Sequence, residues 1–222
     1  MNYELPLVLF TSFTQLGVGL ALFTAFRQCA QAEAAVSMHG QWLAVWLLTS
    51  VGLLFSLLHL GSPTMAATAL KNLSFAWLSR EGLIFYIFVG LALLCVWRSQ
   101  SKGLAIATAL AGIAGLIAQG MTYAVPAMPA INNAWPMVWF FMAAILSGAA
   151  LSLAFGDKAT LARVLAFCSI VSVALLLAAP LLWSGSDDSI IRETAALWFA
   201  SPFYMAALGC FIVVARVFDS PV

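Results

Sequence analysis

Two residues in this 222-residue chain have the types and placement to move protons. They are His59, at the end of a long apolar run, and Glu81, at the start of the next. An ionisable side chain held near membrane depth is costly and by default marks a functional position. Imidazole titrates near neutrality and suits a general base, and a carboxylate can relay the proton onward. Each residue also has a purely structural alternative. A His⁺ on the last turn of a helix is favoured by the helix dipole. Ser79 would make a good N-cap, with Glu81 complementing the dipole in the first turn. Arg80 either snorkels outward or pairs with Glu81. Tyr123, at the end of a later apolar run, could hydrogen-bond a carbonyl or serve as an interfacial anchor.

Metal and cofactor chemistry finds little support. His39 and His59 are 20 residues apart, about 30 Å along a helix, so they cannot jointly ligate a haem within one chain, and His59 with a methionine is the one ligation left open. The four cysteines, Cys29, Cys95, Cys168 and Cys210, lack the close spacing of zinc or iron–sulfur sites and read as small packing residues. No phosphate-cradling loop, dinucleotide fingerprint, zinc-protease helix or serine-hydrolase elbow stands at a suitable position. The last apolar run holds no lysine for a retinal Schiff base.

The elements that must position these residues are membrane helices. The chain is 64% hydrophobic and 8% charged, whereas soluble domains are about a quarter charged. Nine Lys plus Arg against eight Asp plus Glu leave no excess to recruit nucleic acid or an acidic partner. A spanning helix needs about 20 mostly apolar residues. Seven stretches come close: Leu5–Phe26, Trp42–Leu60, Gly82–Trp97, Leu104–Val125, Trp135–Phe155, Val164–Trp183 and Ala195–Ala215. Lipid offers the backbone no hydrogen-bond partners, so the expected fold is an all-α polytopic bundle of about seven helices forming one membrane domain over 1–222. Met1–Phe26 lacks a basic leader and is read as a retained helix. Trp42, Trp97, Trp135, Trp183 and Trp198 fall near stretch ends and are expected in the headgroup layers.

On alternate sides of seven spans, Lys71, Arg80 and Arg192 share the N-terminal side, while Arg27, Arg98, Lys102, Lys158, Arg163 and Arg216 lie opposite. The positive-inside rule then sets the N-terminus outside, in the periplasm of a bacterial inner membrane, and the C-terminus in the cytoplasm. His59 and Glu81 would meet at the outer face. The apolar run after Glu81 is only 16 residues, about 24 Å, which would draw its charged start inward. Between these residues, Gly61–Glu81 is longer than a turn requires, and its Met65–Leu70 run could form a short interfacial helix. Asp187, Asp188 and Glu193 read as a solvated loop.

The run His59-Leu60-Gly61-Ser62-Pro63, then Lys71-Asn72-Leu73, then Trp77-Leu78-Ser79-Arg80-Glu81 resembles the membrane anchor subunit of the dimethyl sulfoxide reductase family. That family carries H-L-G-x-P at one span's end and S-x-L-S-x-E, often S-W-L-S-R-E, at the next span's start. A weaker likeness continues through Tyr123, Pro129-Ala130-Ile131-Asn132, Trp135, Phe140-Phe141 and Gly148. Seven spans here, where such anchors usually have eight, and Ile131 in place of an aromatic residue are departures. The resemblance implies a metal-free subunit that oxidises menaquinol or ubiquinol near the periplasmic face. Its electrons would pass to an iron–sulfur subunit and on to a molybdopterin catalytic subunit. It implies His59 and Glu81 as proton-handling residues, with Arg80, Tyr123, Ser62 and Trp77 around the quinol. The alternatives are a small-molecule or ion transporter, for which the central thirds of the spans hold no ionisable residues, and a purely structural anchor. The terminal electron acceptor is not legible in this chain.

Overall fold

The computed structural model describes residues 5–30, 38–59, 72–155 and 158–219. Among these residues every regular element is helical. The helices are α1 (Leu5–Ala30), α2 (His39–His59), α3 (Trp77–Trp97), α4 (Lys102–Tyr123), α5 (Trp135–Ser152), α6 (Lys158–Ser184), α7 (Ser189–Ala200) and α8 (Pro202–Asp219).

The first six are long and apolar enough to cross a membrane, and α7 with α8 makes a seventh crossing only as a pair bent by 63°. The straight last helix expected over Ala195–Ala215 is therefore broken. The cause is local: Pro202 has no N–H to donate, and a residue before proline is pushed out of the helical region. Ser201 accordingly ends α7 with φ −78 and ψ 122.

Helix α3 also differs from its expected bounds. It begins at Trp77, not at Gly82, and its 21 residues span about 31 Å, enough for the hydrocarbon core. Glu81 thus lies a full turn inside the helix. Ser79 is not the N-cap. Ala76 holds that position without a side-chain cap, and Ser79 is itself buried. The short helix expected over Met65–Leu70 falls outside the described residues.

Polar contacts fix the antiparallel order of the first four helices. Trp42 Nε1 donates to Gln28 Oε1 at 3.1 Å, His39 Nδ1 lies 2.9 Å from Val96 O, and Lys102 Nζ donates to Cys29 O at 3.5 Å. The end of α1, the start of α2, the end of α3 and the start of α4 therefore share one lip, here the Arg27 lip. The ends of α2 and α4 and the starts of α3 and α5 form the opposite one, the His59 lip.

Helix α1 is the hub, packing on α2, α4 and α5, while α3 bridges α2 and α4. With little hydrophobic drive between helices in lipid, small residues allow the close approach that dispersion needs. At the α1–α5 crossing the backbones of Gly19, Ala144 and Gly148 touch, and a Cβ on either glycine would collide with the other helix's backbone. The core beneath holds Phe10, Val18, Trp42, Phe85, Phe88 and Leu116. Helix α6 packs on α5 and carries α7 and α8.

The tryptophans near the helix ends differ in exposure. Trp97 is exposed as anticipated, but Trp42 has no exposed surface and is tied to Gln28. Trp135, Trp183 and Trp198 join Trp139 in one aromatic cluster. Trp139 stacks on Trp135 and Trp198, at 5.7 Å and 5.0 Å between centroids, and meets Trp183 edge-on at 6.1 Å. Mutual stacking and edge contacts hold these rings together.

Candidate functional site at the His59 lip

Glu81 is 1% exposed. Its position one turn inside α3 turns the carboxylate towards α4, where Gln119 receives it and is held in turn by Thr14 and Gln15 of α1. Gln119 Nε2 donates to Glu81 Oε1 at 3.2 Å and to Thr14 Oγ1 at 3.2 Å. Gln119 Oε1 accepts from Gln15 Nε2 at 3.4 Å. Thr14 passes its own proton back to its helix, to Phe10 O at 2.9 Å and Thr11 O at 3.0 Å. Thr122 is within reach of the carboxylate as a second side-chain partner, but its one hydroxyl proton is given to Ala118 O at 2.9 Å, which leaves Gln119 as the donor to Glu81. Thr14, Gln15 and Gln119 are all buried.

The second carboxylate oxygen is different. Glu81 Oε2 is buried and has no hydrogen-bond partner among the described residues. An unsatisfied buried oxygen on a charged group costs several kcal/mol in order of magnitude, so such an atom calls for an explanation.

Arg80 does not neutralise it. Its Nε donates to Leu73 O and its Nη2 to Ser74 O, both at 2.7 Å, and the guanidinium lies 4.4 Å from the centre of the Trp77 ring. The expected alternative of an Arg80–Glu81 pair gives way because adjacent helical residues point in directions about 100° apart. Arg80 instead ties the segment before α3 to the helix. Trp77 and Arg80 line a groove of about 420 Å³ against Ile117 and Ala118 of α4.

Tyr123 follows Gln119 by four residues and so lies on nearly the same face of α4. Its ring meets Phe140 edge-on at 5.2 Å. It forms one wall of a cavity of about 410 Å³, whose other walls include Ile131, Trp139, Phe140 and, from α7, Ile190 and Trp198. The α4–α5 connection is held in shape by Asn133, whose Nδ2 donates to Ala130 O and whose Oδ1 caps Trp135 N, each at 2.9 Å. Trp139 Nε1 is buried without a hydrogen-bond acceptor among the described residues.

Of the residues singled out from sequence, Glu81 enters the buried polar cluster, Trp77 and Arg80 share a groove, and Tyr123 lines the aromatic cavity. Helix α2 ends at His59 on this same lip, although the His59 side chain lies outside the described residues, as does Ser62. Sequence reasoning missed Thr14, Gln15 and Gln119. A signal existed: Gln15 and Gln119 are amides inside otherwise apolar runs, but neither is ionisable, so neither stands out by charge. Among the described residues no three His, Cys, Asp or Glu side chains come together as a ligand set.

The family model described as DMSO reductase anchor subunit (DmsC) matches residues 1–194. The chain belongs to this family. Curated members similar to it include the C subunit of anaerobic dimethyl sulfoxide reductase from Haemophilus influenzae, 30% identical over an alignment of 169 residues that covers 68% of this chain and 58% of the relative. The anaerobic dimethyl sulfoxide reductase subunit YnfH of Escherichia coli K12 is 31% identical over an alignment of 163 residues that covers 68% of this chain and 57% of the relative. The C subunit of anaerobic dimethyl sulfoxide reductase from that same organism is 28% identical over 158 residues, 66% and 55%. The matched part thus spans little more than half the length of these relatives. No solved structure matches. The family match covers α1 to α6 and ends inside α7, so the bent pair lies at its limit.

Proposed function

We propose that this DmsC-family chain is the membrane anchor of a molybdopterin reductase complex and that it oxidises menaquinol or ubiquinol at the His59 lip. The observation that carries the reading is Glu81: a carboxylate inside a membrane bundle, with one oxygen held by Gln119 and the other without a described partner. Oxidising a quinol yields two protons and two electrons. The electrons would leave for an iron–sulfur partner docked on this lip and continue to the molybdopterin subunit. The protons need acceptors at the ring, and His59 and Glu81 are the titratable groups that consecutive spans bring to this lip. By the positive-inside count the lip faces the periplasm, where the protons would be released.

The aromatic cavity beside Tyr123 suits the quinol ring. Its volume falls in the range usual for small-molecule sites, its walls offer stacking surfaces, and Trp139 Nε1 can donate to a ring oxygen. Tyr123 stands four residues, about 6 Å of helix rise, beyond Gln119. Trp77, Arg80 and Ser62 would border the entrance.

The test is quinol-driven turnover of the assembled complex, divided by turnover with a reduced viologen dye that bypasses the anchor. Glu81→Gln and His59→Ala should each lower this ratio at least tenfold. An unchanged ratio in both variants with an intact complex would refute the reading.

A further inference from the structure

The geometry points to Gln119 as the residue that decides which oxygen of Glu81 takes the proton, an inference that rests on the function proposed above. The amide of Gln119 has two N–H hydrogens and one carbonyl, and each is committed. One hydrogen serves Glu81 Oε1 and the other Thr14 Oγ1, both at 3.2 Å, while the carbonyl accepts from Gln15 at 3.4 Å.

The orientation of this amide follows from Thr14 rather than from Gln119 itself. Asparagine and glutamine amides can in general be turned end for end, and only their partners settle the choice. Thr14 has one hydroxyl proton, and it is given to the carbonyls of Phe10 and Thr11. Thr14 Oγ1 can therefore offer Gln119 only a lone pair. Turned over, the Gln119 carbonyl would face that lone pair and the Glu81 carboxylate together, with three acceptors and no hydrogen between them. Gln15 closes the arrangement from the other side, since its amide nitrogen needs an acceptor. Helix α1 thus sets the direction of an amide on α4, which in turn sets a carboxylate on α3.

The consequence lies at the two carboxylate oxygens. Oε1 already accepts an N–H, and a proton placed there would oppose the amide hydrogen. Oε2 is the oxygen without a described donor, so of the two carboxylate oxygens it is Oε2 that is open to a proton released by the quinol. In that step the two quinol O–H bonds break, one proton forms an O–H bond at Glu81 Oε2, the second goes to His59, the other acceptor at this lip, and the two electrons pass to the iron–sulfur partner. Gln119 touches neither quinol nor proton. It is a positioning residue, and Thr14 and Gln15 hold it.

The experiment uses the assembled complex with menadiol as donor and reduced viologen as the bypass. Gln119→Leu keeps the side chain's size and removes the amide. Thr14→Val keeps the shape and removes the lone pair that orients the amide. Both should lower the quinol-to-dye turnover ratio, Gln119→Leu by about tenfold or more, as expected for a hydrogen bond to a charged group. The loss should appear in kcat, with KM for menadiol changed less than about twofold. Adding Gln119→Leu to Glu81→Gln should cost nothing further, since the two act as one unit. If Gln119→Leu fails to accumulate, Thr14→Val decides by the same measure. If Glu81→Gln is inactive with quinol while Thr14→Val and Gln119→Leu keep wild-type kcat, the positioning role is overturned and the proposed function stands. If Glu81→Gln is itself fully active, the proposed function falls first.

Discussion

Replacing Gly19 with alanine should loosen both the bundle and the site. A Cβ on Gly19 would overlap the carbonyl oxygen of Ala144 and stand 2.8 Å from Ala144 C and 2.9 Å from Gly148 Cα. Carbon atoms in contact settle at about 3.5–4.0 Å, so α1 and α5 must part by about 0.7 Å or more. The obstructing atoms are backbone, which cannot rotate aside as a side chain would, so the cost belongs at the upper end of the overpacking range, about 3 kcal/mol. The movement also reaches the polar cluster. Thr14 and Gln15 precede Gly19 by one turn of α1, and their bonds to Gln119 are already 3.2 Å and 3.4 Å. A further shift of about 0.7 Å takes both beyond hydrogen-bond range. The assay is thermal unfolding of the purified chain in detergent, followed by the loss of monodisperse protein. Gly90→Ala is the matched control, because nothing lies within 4 Å of a Cβ there. It should be neutral, or more stable by up to about 1 kcal/mol through helix propensity. Gly148→Ala should behave like Gly19→Ala, since its Cβ meets the backbone of Gly19. Equal unfolding temperatures for Gly19→Ala and Gly90→Ala would refute the close crossing and the placement of α1 built on it.

Other consequences are open to measurement. Trp42→Phe removes the indole donor to Gln28 in a fully buried position and should cost about 2 kcal/mol in the same unfolding assay; a loss below about 0.5 kcal/mol would mean that Trp42 is not buried as described. Arg80→Ala should release the segment before α3, read as faster hydrogen exchange at Ser74 to Ala76, whereas Arg80→Lys should restore the protection only in part because an ammonium cannot reproduce the two-pronged contact. Cys29 is exposed at the Arg27 lip. If that lip is cytoplasmic, as the basic residues imply, a membrane-impermeant maleimide should label Cys29 only after the inner membrane is opened. Labelling of Cys29 in intact spheroplasts would invert the orientation and move the proposed quinol site to the cytoplasmic side.

Composition and run length were enough to specify an all-helical membrane chain, because lipid leaves the backbone no other way to satisfy its hydrogen bonds. The alternation of lips was equally legible: once the spans are counted, the end of α2 and the start of α3 must share a face, and so His59 and Glu81 must as well. The H-L-G-x-P and W-L-S-R-E blocks pointed to the family that the match over residues 1–194 established. Local chemistry was read less well. Ser79 has the type of an N-cap, yet α3 starts earlier, because the helix continues for as long as apolar packing favours it and a serine inside a helix is no obstacle. Ala195–Ala215 reads as a continuous apolar run, yet Pro202 divides it, a constraint that hydrophobicity does not register.

The tertiary structure alone decided what surrounds Glu81. Thr14, Gln15 and Gln119 are separated from it by dozens of residues along the chain, and nothing local to any of them indicates the others. Their meeting depends on the rotation of three helices about their axes, which the contact of Gly19 with Ala144 and Gly148 and the packing of Phe10 against Phe85 hold in place. A sequence specifies which residues each helix carries and at which end. Only the packed bundle sets which faces look at one another, because helix rotation is determined by side-chain fit between segments rather than by the preferences of any one of them.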